Sequence, residues 1–89
     1  MNESEFRAGA IADGYADFQT REYSSGHDVP LHTHDFSVRL LVTDGEFSLQ
    51  YVDSKETFLA GECCELAAGV VHAERAGATG AKVLLSKKV

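Results

Sequence analysis

Apolar and β-branched residues recur in short runs from residue 16 onward, and Gly, Asp or Ser interrupts each run. This pattern is typical of an antiparallel β-sandwich or barrel. A barrel suits many short strands because closure removes exposed sheet edges. The predicted fold class is therefore all-β, a small antiparallel β-barrel of seven or eight strands. Among these strands are the segments 16–23, 56–59, 63–66 and 81–86.

Two glycine-containing segments are predicted to be turns. In the segment 36–52, two runs rich in Val, Leu, Phe and Tyr flank Asp44-Gly45. Asp-Gly is the dipeptide preferred in a tight type I′ turn, so this segment is predicted to form a β-hairpin. A second turn is predicted at Gly77–Gly80, between the strand runs 72–76 and 81–86.

The length of 89 residues predicts one domain over 1–89, with an N-terminal segment over 1–14 and a barrel over 15–89. Only the first dozen residues carry a helix pattern, in which Asn2 or Ser4 would cap a short helix before Phe6.

Composition and charge exclude several classes of function. Hydrophobic residues make up 44% of the chain and charged residues 25%, a balance typical of folded globular proteins. The net charge is −6, from 14 acidic and 8 basic residues, and only Lys87 and Lys88 form a basic pair. A nucleic-acid partner is therefore not expected. The apolar runs at 40–42 and 83–85 are too short for a membrane helix, so no membrane partner is expected either.

The cysteines and the N-terminus predict a cytoplasmic protein. The only two cysteines are the neighbours Cys63 and Cys64, which point to opposite faces of a strand and cannot easily form a disulfide bond. One is expected to face the interior and the other the solvent. Free thiols are typical of a reducing compartment. The first ten residues also lack the basic and apolar regions of a signal peptide.

Three of the four histidines are candidates for a metal site. His32 and His34 flank Thr33, and on a strand residues two apart point to the same face. His72 follows a glycine turn far downstream. Three imidazoles converging from two strands are a common mononuclear transition-metal site, although half-buried histidines without a metal are the alternative. His27 lies outside this spacing and is predicted to be a surface residue.

These histidines lie in two segments that resemble the two motifs of the cupin family. The first motif has a glycine, five residues, His-x-His, a glutamate three or four residues later, and a closing glycine. Gly26, His32, His34 and Gly45 match it, but Val38 or Arg39 stands where the glutamate is expected.

The second motif has a glycine, five residues, proline, x, glycine, two residues, histidine, three residues and asparagine. Gly61, Gly69 and His72 match it, whereas Ala67 replaces the proline and Ala76 the asparagine.

The resemblance implies a double-stranded β-helix, a jelly-roll-like cupin barrel, which holds a divalent transition metal through His32, His34 and His72. The ion would be Fe, Ni, Zn or Mn. It also implies a small-molecule substrate or ligand, a homodimer, and possible dioxygenase or isomerase and lyase chemistry. Because two motif positions differ and the glutamate is missing, whether a fourth protein ligand exists is left open.

Two other functions fit the same residues. The segment 32–49 also resembles the ligand-sensing arm of AraC-type regulators, which implies a non-catalytic module that binds a small molecule. Arg39 would be a ligand-binding residue in the metal-binding cupin or in the sensor, because an inward guanidinium could bind a carboxylate or phosphate. A barrel that only dimerises is the third alternative. No catalytic residue is assigned, since Glu65, Glu74 and Tyr51 are candidate bases by chemistry alone.

Overall fold

The computed structural model describes residues 1–89 and contains one helix and six antiparallel strands. The all-β fold class is confirmed, and three predicted strands match observed ones within one residue at either end. No helix has the length and apolar character needed to cross a membrane. The elements are α1 (Glu3–Ala12), β1 (Ala16–Tyr23), β2 (Asp28–His32), β3 (Ser37–Gln50), β4 (Lys55–Leu59), β5 (Cys63–Leu66) and β6 (His72–Lys88).

Two long strands, β3 and β6, connect the two halves of the sheet. The first part of β3 pairs with the end of β6, and its last part pairs with the start of β6. β1 and β5 flank the first of these pairings, and β2 and β4 flank the second. The six strands therefore form two halves that enclose one core, as in a jelly roll. Eight buried residues make up this core: Leu40, Val42, Phe47, Leu49, Ala76, Ala81, Val83 and Leu85.

The hairpin predicted at Asp44-Gly45 and the turn predicted at Gly77–Gly80 are both wrong. β3 and β6 run through these positions without reversing direction. Gly45 and Gly80 have φ angles of +74° and +80°, and the register of β3 against β6 shifts around Gly45. A Cβ on Gly45 would collide with the carbonyl of Gly80. The glycines thus bend two paired strands from one half of the sheet to the other, as bulges do.

Helix α1 covers part of the outer face of the sheet. Asn2 caps the helix, and its side chain and that of Glu5 form a capping box. Phe6 packs with Leu41 and Leu84, which alternate with the core residues along β3 and β6. The predicted helix is confirmed. It buries an outer cluster of Phe6, Leu41 and Leu84, which the sheet separates from the interior of the barrel.

Candidate metal centre

Four side chains that can bind a metal meet inside the barrel: His32, His34, His72 and Glu74. His32 at the end of β2 lies directly opposite His72 at the start of β6. His34 follows two residues after His32, and Glu74 two residues after His72, so each pair shares one face of the chain. The structure thus brings together the three histidines singled out in the sequence and adds a carboxylate.

The ligand atoms of these four side chains all lie within 4.8 Å of one another. The Nε2 atom of His32 is 3.2 Å from Nε2 of His34 and 3.2 Å from Oε2 of Glu74. The Nε2 atom of His72 is 3.6 Å from the same carboxylate oxygen. The side chain of His72 is only 1% exposed, so this end of the group is shielded from water.

Backbone carbonyls fix the orientation of two imidazole rings. Nδ1 of His32 lies 2.7 Å from the carbonyl oxygen of Pro30, and Nδ1 of His72 lies 2.9 Å from that of Val70. A carbonyl oxygen only accepts hydrogen bonds, so we assign the proton of each neutral ring to Nδ1. The lone pair on Nε2 of each of these two rings then points into the group, toward the carboxylate of Glu74.

This donor set fits a divalent transition metal. Three imidazole nitrogens and one carboxylate oxygen are ligands that Zn, Fe, Ni and Mn accept, and rings held through their second nitrogen are typical of metal-binding histidines. The Nε2 lone pairs of His32 and His72 face the Glu74 carboxylate and are repelled by it, and a cation between them removes that repulsion. The residues present therefore match the metal group that the sequence resemblance implies.

Glu74 was not predicted as a ligand. It lies on β6, whereas the glutamate of the cupin motif would lie on β3, where Val38 lines the cavity and Arg39 points away from it. The sequence does contain a signal, because His72-x-Glu74 has the same two-residue spacing as His32-x-His34.

Tyr23 positions the carboxylate of Glu74. Its hydroxyl donates a hydrogen bond to Oε1 of Glu74 over 3.2 Å, which leaves Oε2 directed at the histidines. The phenol ring packs against Phe47, with ring centres 5.6 Å apart. Burial, together with the charge of Glu74 and the hydrogen bond to it, raises the pKa of Tyr23 to about 12. Tyr23 therefore stays a hydrogen-bond donor at neutral pH.

His34 is half-buried and stacks on Phe36. The two ring centres are 4.8 Å apart and the ring planes differ by 23°. Burial lowers the pKa of His34, and the nearby rings of His32 and His72 lower it further. A lowered pKa favours the neutral imidazole, which is the form that binds a metal.

The four side chains line a partly open cavity of about 260 Å³. Its walls are mostly apolar, and Cys64 belongs to them while Cys63 is exposed, as alternation predicted. Burial raises the pKa of Cys64 to about 12, so the thiol stays protonated. Arg21 and Lys87 are the two cationic side chains of the lining. The apolar part of the wall consists of Val29, Phe36, Val38, Leu40, Leu49, Leu66 and Leu85.

Arg39 does not reach this cavity, so the inward orientation considered for it is not observed. Its neighbour Leu40 occupies the core face of β3, and alternation places Arg39 on the outer face beside α1. There the guanidinium donates to Asp13 over 2.8 Å and to Glu65 over 3.4 Å. It also lies 4.6 Å from the centre of the Tyr15 ring. Arg39 thus anchors the end of α1 to the barrel.

Of the three candidate bases, only Glu74 belongs to the cluster with His32, His34 and His72, and Glu65 and Tyr51 lie outside it. Glu65 accepts a hydrogen bond from Tyr15 over 2.5 Å on the outer face, and this bond, together with Arg39, lowers the pKa of Glu65. Tyr51 packs against the edge of the core and does not line the cavity. His27 is exposed, as predicted, and borders the cavity beside Tyr23.

Solved structures with the same fold are cupins. A cupin-2 domain protein from Shewanella frigidimarina superposes with a TM-score of 0.72 at 22% identity, over 81% of this chain and 69% of that one. A cupin superfamily protein from Desulfitobacterium hafniense gives 0.72 at 19% identity, over 81% and 65%. Drosophila melanogaster CENP-C, in a crystal structure bound to CAL1, gives 0.69 at 11% identity, over 80% and 60%.

These likenesses show that the chain has the cupin fold, as the sequence motifs implied. No protein-family model and no curated protein matches the sequence. At these identities the comparison defines the fold alone, and the function has to be argued from the site.

Proposed function

We propose that this protein is a metal-binding cupin that holds one divalent transition metal through His32, His34, His72 and Glu74 and binds a small molecule beside it. The observation that carries the proposal is the convergence of four donor atoms within 4.8 Å. Two of the rings are fixed by backbone carbonyls, so the group is already arranged for a cation before one binds.

The chain's own side chains divide the work at this site. The four ligands would hold Fe, Ni, Zn or Mn, and Tyr23 would keep the Glu74 carboxylate in place. The apolar wall would exclude water and bind the carbon skeleton of a small molecule. A bound Fe(II) would supply oxygen activation, as a dioxygenase needs, whereas Zn(II), Ni(II) or Mn(II) would polarise a carbonyl group for isomerase or lyase chemistry.

The side chains of the cavity wall provide no general base for catalysis at neutral pH. Tyr23 and Cys64 both have a pKa of about 12 and keep their protons at neutral pH, so neither is a ready base. Catalysis would therefore depend on the metal and its ligands. The alternative function is a non-catalytic sensor, and the apolar cavity, which can bind a ligand without any reaction, supports it.

A homodimer and a cytoplasmic location stay predictions. Two apolar residues beside the metal ligands are exposed, Leu31 by 58% and Val71 by 41%. A second copy of the chain could cover such side chains. The molar mass in solution, measured by light scattering, tests the homodimer directly.

Metal content tests the proposal. We would purify untagged protein without immobilised metal and determine metals by elemental analysis in the wild type and in the His34→Ala/His72→Ala variant. We expect about one equivalent of metal per chain in the wild type and almost none in the variant. The matched control is His27→Gln, which changes the exposed histidine and should keep the metal. Circular dichroism would verify that each variant is folded.

A wild-type protein that holds no metal, even after incubation with Zn(II), Fe(II), Ni(II) or Mn(II), would overturn the metal centre. A metal retained in the double variant would equally contradict it, because the ion would then lie elsewhere.

A further inference from the structure

We propose that the cavity takes a small carboxylic acid, whose carboxylate is bound by Lys87 and whose carbon skeleton lies against the apolar wall, while Arg21 adds positive charge at the border of the cavity. This inference rests on the proposed metal centre and adds the chemical class of its ligand.

The charge of the cavity is opposite to that of the whole chain. The protein has a net charge of −6, with 14 acidic and 8 basic residues. The cavity lining, in contrast, contains two cationic side chains, Arg21 and Lys87, and only one acid, Glu74. Tyr23 and the histidines already occupy the carboxylate of Glu74. A divalent cation would increase the local positive charge, and a concave site with charge of one sign attracts ions of the other.

Lys87 is held close to the metal group. It alternates with Leu85 on the inner face of β6, and its Nζ atom lies 4.8 Å from the centre of the Phe36 ring. That ring in turn stacks on His34, so the ammonium group and a proposed metal ligand contact the same aromatic ring. This cation–π contact holds Lys87 at the cavity rather than in bulk water.

The cations of the cavity also have no acidic partner in the protein. Arg39, Arg75 and Lys82 each form an ion pair with a carboxylate, whereas Lys87 and Arg21 do not. Arg21 lies on β1 two residues before Tyr23 and shares its inner face. Two unpaired cations at the border of an apolar cavity leave an anionic group of a ligand as the fitting counterpart.

The rest of the cavity limits the shape of that ligand. A volume of about 260 Å³ is below the range of drug-sized pockets, so the ligand is of metabolite size. Walls made of Leu, Val and Phe side chains favour a carboxylate that carries a carbon skeleton over a bare inorganic anion, which would leave the apolar surface uncovered.

A matched pair of probes tests this inference. Benzoate and benzamide have almost the same shape, but only benzoate is charged. We would titrate each into the Zn(II)-loaded wild type, Lys87→Gln and Arg21→Gln by calorimetry. Lys88→Gln is the control, since it makes the same change one residue along, and the Lys88 ammonium lies near Tyr15 rather than in the cavity.

We expect the wild type to prefer benzoate. Lys87→Gln should weaken benzoate binding about tenfold, because a charge-assisted hydrogen bond is lost, and Arg21→Gln should weaken it by a smaller factor, because only a nearby positive charge is removed. Benzamide binding should change little, and Lys88→Gln should bind both probes as the wild type does.

Zinc content, measured on the same samples, separates the two proposals. If the wild type holds no zinc, the metal centre itself fails, and this inference falls with it. If every variant holds zinc, but the wild type does not bind benzoate or binds it no better than Lys87→Gln does, the carboxylate inference is wrong and the metal centre stands.

Discussion

At the residue scale, the hydrogen bond from Tyr23 to Glu74 connects the core to the metal group. The phenol is packed against Phe47, and its hydroxyl holds Oε1 of Glu74, so that Oε2 faces the histidines. Outer hydrogen bonds of this kind orient a metal-binding side chain. The packing of Tyr23 therefore determines how rigidly the Glu74 carboxylate is held beside the histidines.

Tyr23→Phe removes this hydrogen bond but keeps the ring. We expect the affinity for Zn(II) to fall about tenfold, the usual effect of losing an outer-sphere partner, with little change in fold. Competition with a metal chelator measures the affinity. Tyr51→Phe is the control, because Tyr51 lies outside the cavity. Equal affinities in Tyr23→Phe and the wild type would show that Glu74 needs no help from Tyr23.

Cys64 gives a prediction about alkaline stability. The thiol has an ordinary pKa of 9.0, and burial raises the pKa to about 12 in the folded protein. Between these values the folded chain binds more protons than the unfolded chain. The contribution of Cys64 to the free energy of unfolding is therefore complete below pH 9 and is lost as the pH rises to about 12.

Urea unfolding at several pH values measures this loss. The decline in stability above pH 9 should be smaller in Cys64→Ala than in Cys63→Ala, whose substituted thiol is exposed. The two variants share every other titrating group. Parallel declines would mean that Cys64 does not titrate differently in the two states.

Residue spacing explains what the sequence could predict about the site. His32, His34 and His72 were predictable because a two-residue spacing and a motif bring them to one face. Arg39 was considered for the same interior, but it is one residue out of phase with Leu40 and faces α1. The spacing of His72 and Glu74 indicates a shared face, but that this face meets His32 depends on the register of β6 against β2, which a single sequence does not reveal.

At the element scale, glycines shape the two long strands. Gly45 and Gly80 lie where β3 and β6 bend together, and both have a positive φ. The Asp-Gly dipeptide predicted a chain reversal, since the same positive φ serves a hairpin turn. Only the pairing with another strand distinguishes a bend from a turn. The sequence therefore predicted that the chain changes direction at these glycines, but not that it bends without reversing. The strand runs predicted on either side of these two turns are therefore continuous, as the long strands β3 and β6.

Gly45→Ala tests the bend. A Cβ there would meet the Gly80 backbone and require a strained φ, so we expect a loss of about 2 kcal/mol or more in the free energy of unfolding. Gly9→Ala is the matched control, because Gly9 lies inside α1 with open space around it. There alanine should stabilise the protein by about 0.5–1 kcal/mol.

Chemical denaturation measures both changes. If Gly45→Ala were as stable as the wild type, the two strands would not depend on the close approach of their backbones at this bend.

At the scale of the whole molecule, the fold explains why the site has its charge. Acidic residues outnumber basic ones in the chain, yet the cavity around the three histidines and Glu74 is lined mostly by apolar and cationic side chains. Composition alone predicted an acidic protein without a nucleic-acid partner. The distribution of its charge between the inner and outer faces follows from strand alternation and could be described only once the register was known.

The central claim is that one metal binds to the three histidines and Glu74, and a calorimetric titration of Zn(II) into metal-free protein tests it most directly. The wild type should bind about one Zn(II) per chain, and Glu74→Gln should bind it at least about tenfold more weakly, because it loses the only charged ligand. His27→Gln should match the wild type. Absence of a saturable site in the wild type, or unchanged affinity in Glu74→Gln, would contradict the account.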